Sequence, residues 1–374
     1  MVLGASTTEM GLLSGIGSAA VLLFGLMAGV WVDRLPRRPI LIGTDLGRAA
    51  LLLSVPLAAY AHVLRMPQIY AVAAMAGVLT VFFDVAYQSY LPSLVRRDQL
   101  VEGNTRLTLS ATTAEIVGPG LTGVLVQLIT APVAILLDAL SFVFSALMVG
   151  LIRHRDEAKP TEGESGWAEA IAGMHFLAVN KLLRALALRS IVCFFGWGLT
   201  MPLYVIYIIQ VLHLAPAQMG VIIAMGGVGG VFGSFISARV VHRLGLGATL
   251  IVTSLIQALS LVLMAVAHGP WWMASAFMIG QQLTGDSAFA IYNINEMSLR
   301  QRIVPGELLG RVNAAMQLAS RGVLPVGAVL SGVLAGFIGI RAMLGFSALG
   351  VLLSTLFLLT PEVRGLRDHL AIPE

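Results

Sequence analysis

The sequence holds a single cysteine, Cys193, in 374 residues. Disulfides within the chain and multi-cysteine metal sites are thereby excluded, and Cys193, set in an apolar run, reads as a small packing residue. Charge is scarce as well. Asp, Glu, Lys and Arg make up 11% of the chain, where soluble domains carry about 25%. Water is not the main solvent of such a sequence. Aromatic residues, at 7%, do not interleave with basic ones, so the stacking platforms of nucleic-acid binding are missing. There is no HExxH, no GxxxxGK loop and no Ser/His/Asp set, and the seven histidines are scattered. Neither a resident metal, a cofactor nor an enzymatic centre is expected. No cleavable leader is expected either, since residues 1–9 lack a basic segment and the apolar stretch from Gly11 is too long for one.

What the chain does contain is apolar sequence, 57% hydrophobic with a mean hydropathy of +0.89. It comes in runs of roughly 20 residues, the length that crosses a bilayer as a helix. Eleven spans are predicted, over 11–32, 40–61, 69–89, 105–130, 132–152, 186–209, 219–241, 248–268, 271–292, 312–336 and 342–360. For reasons given below they are numbered 2 to 12. The fold class expected is an all-α integral membrane bundle.

The formal net charge of +4 belongs to short connections. Alternate ones hold Arg34, Arg37 and Arg38; Arg96 and Arg97; Arg153, Arg155, Lys159, Lys181 and Arg184; Arg239 and Arg243; Arg300, Arg302 and Arg311; and, in the tail, Arg364 and Arg367. The intervening ones hold only Arg65 and Arg341. This asymmetry places the basic set and the C-terminus in the cytoplasm of a plasma-membrane protein. Trp271 and Trp272 open a span at the outer surface, where indole favours the interface. The longest connection spaces Trp167, Ile171, Met174 and Ala178 on one helical face. It reads either as an amphipathic helix on the inner membrane surface or as a solvated linker.

The chain repeats itself. A shift of 209 residues lays Met10-Gly11 on Met219-Gly220, Gly17 on Gly226, Arg34-Leu35 on Arg243-Leu244, Asn104 on Asn313 and Gly123-Val124-Leu125 on Gly332-Val333-Leu334. Between these, a shift of 202 lays Asp84 and Tyr90 on Asp286 and Tyr292. Two similar halves, with a substrate site between them near the midplane, are a common transporter plan. The division expected is 1–155 for the first half, 156–181 for the linker and 182–374 for the second half. The first half then has five spans against six, so a twelfth, ahead of the others, is expected from the repeat. Either the true start lies upstream or the sequence is a fragment. Ser6 to Glu9 forms a capping box opening span 2.

Gly29-Val30-Trp31-Val32-Asp33-Arg34-Leu35-Pro36-Arg37-Arg38 joins spans 2 and 3. It resembles the signature loop of the major facilitator superfamily, with Pro36 and Trp31 replacing that loop's usual Gly and Leu. The resemblance implies a gating latch between the halves, built on Gly29, Asp33, Arg34, Arg37 and Arg38. Its second copy keeps Arg243 but has His242 in place of Asp33. Gly118-Pro119-Gly120, with Gly123, lies in span 5. Proline bends a helix, and in position the segment is similar to the superfamily's antiporter Gly-Pro motif; an ordinary packing kink is the other reading. The segments from Tyr90 to Asn104 and from Leu136 to Phe142 resemble the branch that includes macrolide and enterobactin exporters.

Charges inside the spans complete the candidate site. Asp45 and Arg48, three apart on span 3, are expected to form a structural ion pair. Asp84, Glu115, Asp138 and Asp286 lack a close same-helix partner, and each costs ~2.5–3.5 kcal/mol at a helix centre. They should face the bundle interior. A carboxyl withdrawn from water holds its proton more tightly, which suits a proton carrier; hydrogen-bonded structural acids are the alternative. Glu115 and Asp138 are the foremost proton candidates, and Arg321 is a candidate partner for an acid or an anionic substrate. The glycine run 226–233 is read as a small-residue packing face.

The function expected is secondary active transport: proton-coupled export of a hydrophobic or amphipathic small molecule by alternating access. A monomer is expected, with lipid, substrate and protons as its partners and no nucleic acid. A non-transporting fragment or membrane scaffold is the alternative, and a membrane enzyme is weaker still.

Overall fold

Residues 6–95, 99–152 and 166–366 are described by a computed structural model, and among them no strand occurs. The helices are α1 (Thr7–Arg34), α2 (Arg37–Tyr60), α3 (Met66–Leu94), α4 (Leu100–Ile129), α5 (Ala131–Leu151), α6 (Gly166–Val179), α7 (Lys181–Ile206), α8 (Pro216–Leu244), α9 (Leu246–Ala265), α10 (Trp271–Ile303), α11 (Gly306–Arg321), α12 (Leu324–Ile338), α13 (Ile340–Ser354) and α14 (Pro361–Arg364). A π turn, Tyr207–Val211, extends α7, and a 3-10 turn, Thr355–Leu359, follows α13.

Local chemistry sets many of the boundaries. Ser6 caps α1: its hydroxyl accepts from the Glu9 amide at 3.3 Å, and the Glu9 carboxylate accepts the Ser6 amide at 2.8 Å. Two orphan donors are satisfied at once. Asn180 does the same for α7, accepting from the amides of Leu182 and Leu183. Pro216 and Pro325 stand in the first turns of α8 and α12, where a missing N–H costs nothing.

Ten segments are long and apolar enough to cross a membrane, one fewer than the eleven expected. The difference is α10. Gln281, Gln282, Thr284, Asp286, Ser287, Asn293, Asn295 and Glu296 make it too polar, although it is 33 residues long. Span 11 is present as one membrane-length segment, Leu308–Ile338, but its helix is interrupted. It is two helices, α11 and α12, parted at Gly322 and Val323 just before Pro325. Proline cannot donate a backbone hydrogen bond to the preceding turn, so the ladder stops there.

The helices pack as two groups joined along two seams. In the first group α2 packs on α3 and α5, and α1 on α3; in the second, α10 lies against α8 and α9, and α7 against α12 and α13. The seams are α1 with α12 and α4 with α8. Each seam closes on a pair of glycines. A side chain at Gly11 would strike the Gly332 Cα at 2.6 Å, and one at Gly123 the Gly220 Cα at 3.0 Å. These are the glycines that the 209-residue shift superposes, so the seams are two copies of one contact. Small residues let helix backbones approach where lipid supplies no hydrophobic drive. Two hydrogen bonds lie alongside, from the Thr8 hydroxyl to the Gly332 carbonyl at 3.2 Å and from the Ala217 amide to the Gln127 side chain at 3.2 Å. Large apolar side chains remain exposed around the outside, among them Leu128, Phe144 and Phe337. That is the surface a lipid-facing protein presents.

α6 packs on α11, with Leu177 buried and Gly173 against the Arg311 carbonyl. Met174 and Ala178 point outward. The side chains of Trp167 and Ile171 lie outside the described residues.

Candidate functional site

A cavity of ≈ 950 Å³ lies between the groups. The first group contributes α4 through Thr112, Glu115, Ile116 and Pro119; α7, α8, α9 and α10 supply the rest. At Pro119 it borders the α4–α8 seam. From there its lining continues toward the end of the bundle that carries Arg34 to Arg38, reaching Ser234, Phe235 and Ile294.

Each wall has its own chemistry. Aromatic rings come from α7 and α10, with the Trp197 and Phe289 centroids 4.7 Å apart, and Tyr204 lies on the same side. The acids are Glu115 on α4 and Asp286 on α10, close enough for each charge to act on the other. Gly226 makes room for the second of these, because a side chain there would collide with the Asp286 carboxylate. The glycine run on α8 is therefore a packing face, since Gly229 and Gly233 lie against the backbone of α10, and also one wall of the cavity. α4 runs unbroken across Pro119, whose carbonyl lies against Gly220.

α9 adds Gln257, which is 3% exposed. Its Oε1 accepts from Arg189 Nη2 at 2.8 Å. A guanidinium can only donate, so this contact fixes the amide with Nε2 turned away from Arg189, and Nε2 has no partner among the described residues. Arg189 itself, 2% exposed, also donates to Ser254 at 3.2 Å and stacks over the Tyr292 ring at 3.7 Å. On α10, Gln281 is 7% exposed and its Oε1 is likewise unpartnered.

The other sequence candidates lie elsewhere. Asp45 and Arg48 pair at 2.5 Å and are buried, with the guanidinium over the rings of Phe83 and Phe142. Asp84 and Asp138 are exposed, do not line the cavity and stand in the field of Arg48. Arg321 is exposed and does not line it either. Arg38 donates to the Val149 and Gly150 carbonyls at the end of α5, within its own group. The side chains of Gly29, Asp33 and Arg34 lie outside the described residues.

The model of the Major Facilitator Superfamily matches residues 2–324 and 186–372. The chain belongs to that superfamily. Among superfamily members, the multidrug efflux pump Tap of Mycolicibacterium fortuitum is 25% identical over 384 residues, spanning 96% of this chain and 89% of its own length. The enterobactin exporter EntS of Salmonella typhi is 24% identical, spanning 95% and 84%. Among solved structures, a bacterial homologue of the iron transporter ferroportin, in an inward-facing state, superposes with a TM-score of 0.74 at 18% identity, covering 95% of this chain and 89% of its own. A mutant of the nucleoside transporter NupG gives 0.79 at 12%, covering 94% and 90%. These structures establish the superfamily fold. The family and its relatives are transporters and not enzymes.

Sequence reasoning missed Gln257, Gln281 and the aromatic wall. The repeat offered a signal: the 209-residue shift lays Asp45 and Arg48 on Ser254 and Gln257, which marks those two as buried polar positions.

Proposed function

We propose that the chain is a proton-coupled exporter of a hydrophobic or amphipathic small molecule, working by alternating access across a plasma membrane. The observation that carries this reading is the cavity between α4 and α7–α10, with an acid on each side of the seam between the groups. A site that both groups line changes its exposure when they rock against each other. The efflux relatives Tap and EntS support export as the direction.

On this reading α10 is span 10 and brings the count of spans to eleven. Its polar face turns to the cavity, and 33 residues at ~1.5 Å each exceed the ~30 Å of hydrocarbon. The halves are 1–155 and 182–374, and α6 in the linker lies at the cytoplasmic end against α11. The cavity extends toward that same end, so the conformation is open inward. Gly29, Asp33, Arg34, Arg37 and Arg38 form the latch that closes it. Glu115 and Asp286 carry the coupling proton; they line the cavity, while Asp84 and Asp138 surround Arg48.

Reconstituted vesicles test the coupling. Glu115→Gln and Asp286→Asn are expected to abolish proton-driven efflux against a gradient while leaving downhill exchange of the same substrate. If both variants pump uphill at the parent rate, the coupling acid lies elsewhere, and Asp138 and Asp84 become the alternatives.

A further inference from the structure

The chemistry of the cavity wall also selects a substrate charge. We infer, resting on the reading of this cavity as the substrate site, that its ligand is an organic cation with an aromatic or apolar body.

The lining contains no Lys, Arg or His, yet it contains Glu115 and Asp286. Arg189, a guanidinium close by, is held behind Gln257 and Tyr292 and does not reach the wall. Among the described residues no hydrogen bond or ion pair reaches the Asp286 carboxylate, and Gly226 leaves it room. Two glutamines in the wall are buried and bring no charge of their own. Gln281 Oε1 is an unpartnered acceptor on α10, the helix that carries Asp286. Gln257 Nε2, its orientation fixed by Arg189, is an unpartnered donor on α9. The ligand that fits carries positive charge toward Asp286 and Glu115. Between these positions Trp197 and Phe289 offer ring faces, which attract cations and stack flat apolar bodies. An anion would meet two carboxylates and no cation. A wholly apolar solute would leave both acids unpaired.

Charge can be tested apart from shape with tetraphenylphosphonium and tetraphenylborate, ions of one shape and opposite sign. Equilibrium dialysis of the purified chain in detergent measures both, and Gly230→Phe sets the background. Gly230 lines the cavity and has open space where its side chain would grow, so phenylalanine fills the site without a backbone clash. Tetraphenylphosphonium is expected to bind at a site that Gly230→Phe removes, and tetraphenylborate is not. Asp286→Asn should weaken the cation by about tenfold, equivalent to about 1.4 kcal/mol, and Asp286→Glu should recover part of the loss. A monodisperse elution profile for each variant separates lost binding from lost folding. If tetraphenylborate binds the Gly230-sensitive site as well as the cation does, the charge preference is overturned while the cavity stands as the site. If uphill efflux of a neutral solute proceeds and is blocked by Gly230→Phe while tetraphenylphosphonium fails to bind, the inference falls and the proposed function survives. Binding of either ion that ignores Gly230→Phe overturns both.

Discussion

Thr130, between α4 and α5, has φ 76° and ψ 158°, a region that residues with a side chain rarely enter and that costs of order 1–3 kcal/mol. Its repeat mate is Gly339, between α12 and α13, with φ 86° and ψ 154°. The same turn is thus made twice, once with glycine and once without. Thr130→Gly is expected to stabilise the protein by about 1 kcal/mol, the relief of strain exceeding the added freedom of glycine in the unfolded chain. Gly339→Thr should destabilise it. Thermal unfolding in detergent reads both, and a lower Tm for Thr130→Gly would show that the turn is not strained. At this scale the sequence revealed the kind of residue and hid its company. Asp84, Glu115, Asp138 and Asp286 all stood out as acids in apolar spans. Only packing separates the two that line the cavity from the two that surround Arg48, because a helix whose apolar residues run all round gives no sign of which side meets a neighbour.

Matched small residues are weak evidence of a repeat, yet the matched glycines proved to be the points where the helices of the two seams touch. Gly11 meets Gly332, and Gly123 meets Gly220. Leucine at Gly123 would force α4 from α8, since the Gly220 backbone and the Pro216 carbonyl are already in contact there. Gly123→Leu is expected to reduce transport by at least about tenfold, the effect of roughly 1.4 kcal/mol on a rate. Gly350→Leu on α13, where space is open, should transport like the parent. Equal rates for the two would remove the seam from the mechanism. Element boundaries were less legible. The break at Gly322 and Val323 sits inside one apolar run, and hydropathy does not respond to a single proline. α10 has the opposite difficulty: its cavity-facing amides and acid dilute the apolar signal that identifies a span. The residues that make a transporter work are those that make its helices harder to recognise.

At the scale of the molecule, the repeat places one polar centre in each group and builds it differently. Arg48 on α2 pairs with Asp45 on its own helix. The repeat mates of that pair, Ser254 and Gln257 on α9, receive Arg189 from α7 instead. The second centre thereby leaves the Gln257 amide nitrogen without a partner among the described residues, and the second group supplies most of the cavity lining. Reading this asymmetric cavity as open inward rests on the basic end facing the cytoplasm. The single cysteine makes the orientation measurable. Cys193 is 1% exposed and packed among Ala258, Leu261 and Val351, so Cys193→Ser gives a background without thiols. Tyr60, 89% exposed, ends α2 on the side away from Arg34 to Arg38, and Leu244, 48% exposed, ends α8 on the basic side. On intact cells a membrane-impermeant maleimide is expected to label Tyr60→Cys and to label Leu244→Cys only after permeabilisation. The reverse pattern would invert the protein and make this conformation open outward. Labelling of both positions on intact cells would mean that α2 or α8 does not span, and the two-group architecture could not then alternate access across the membrane.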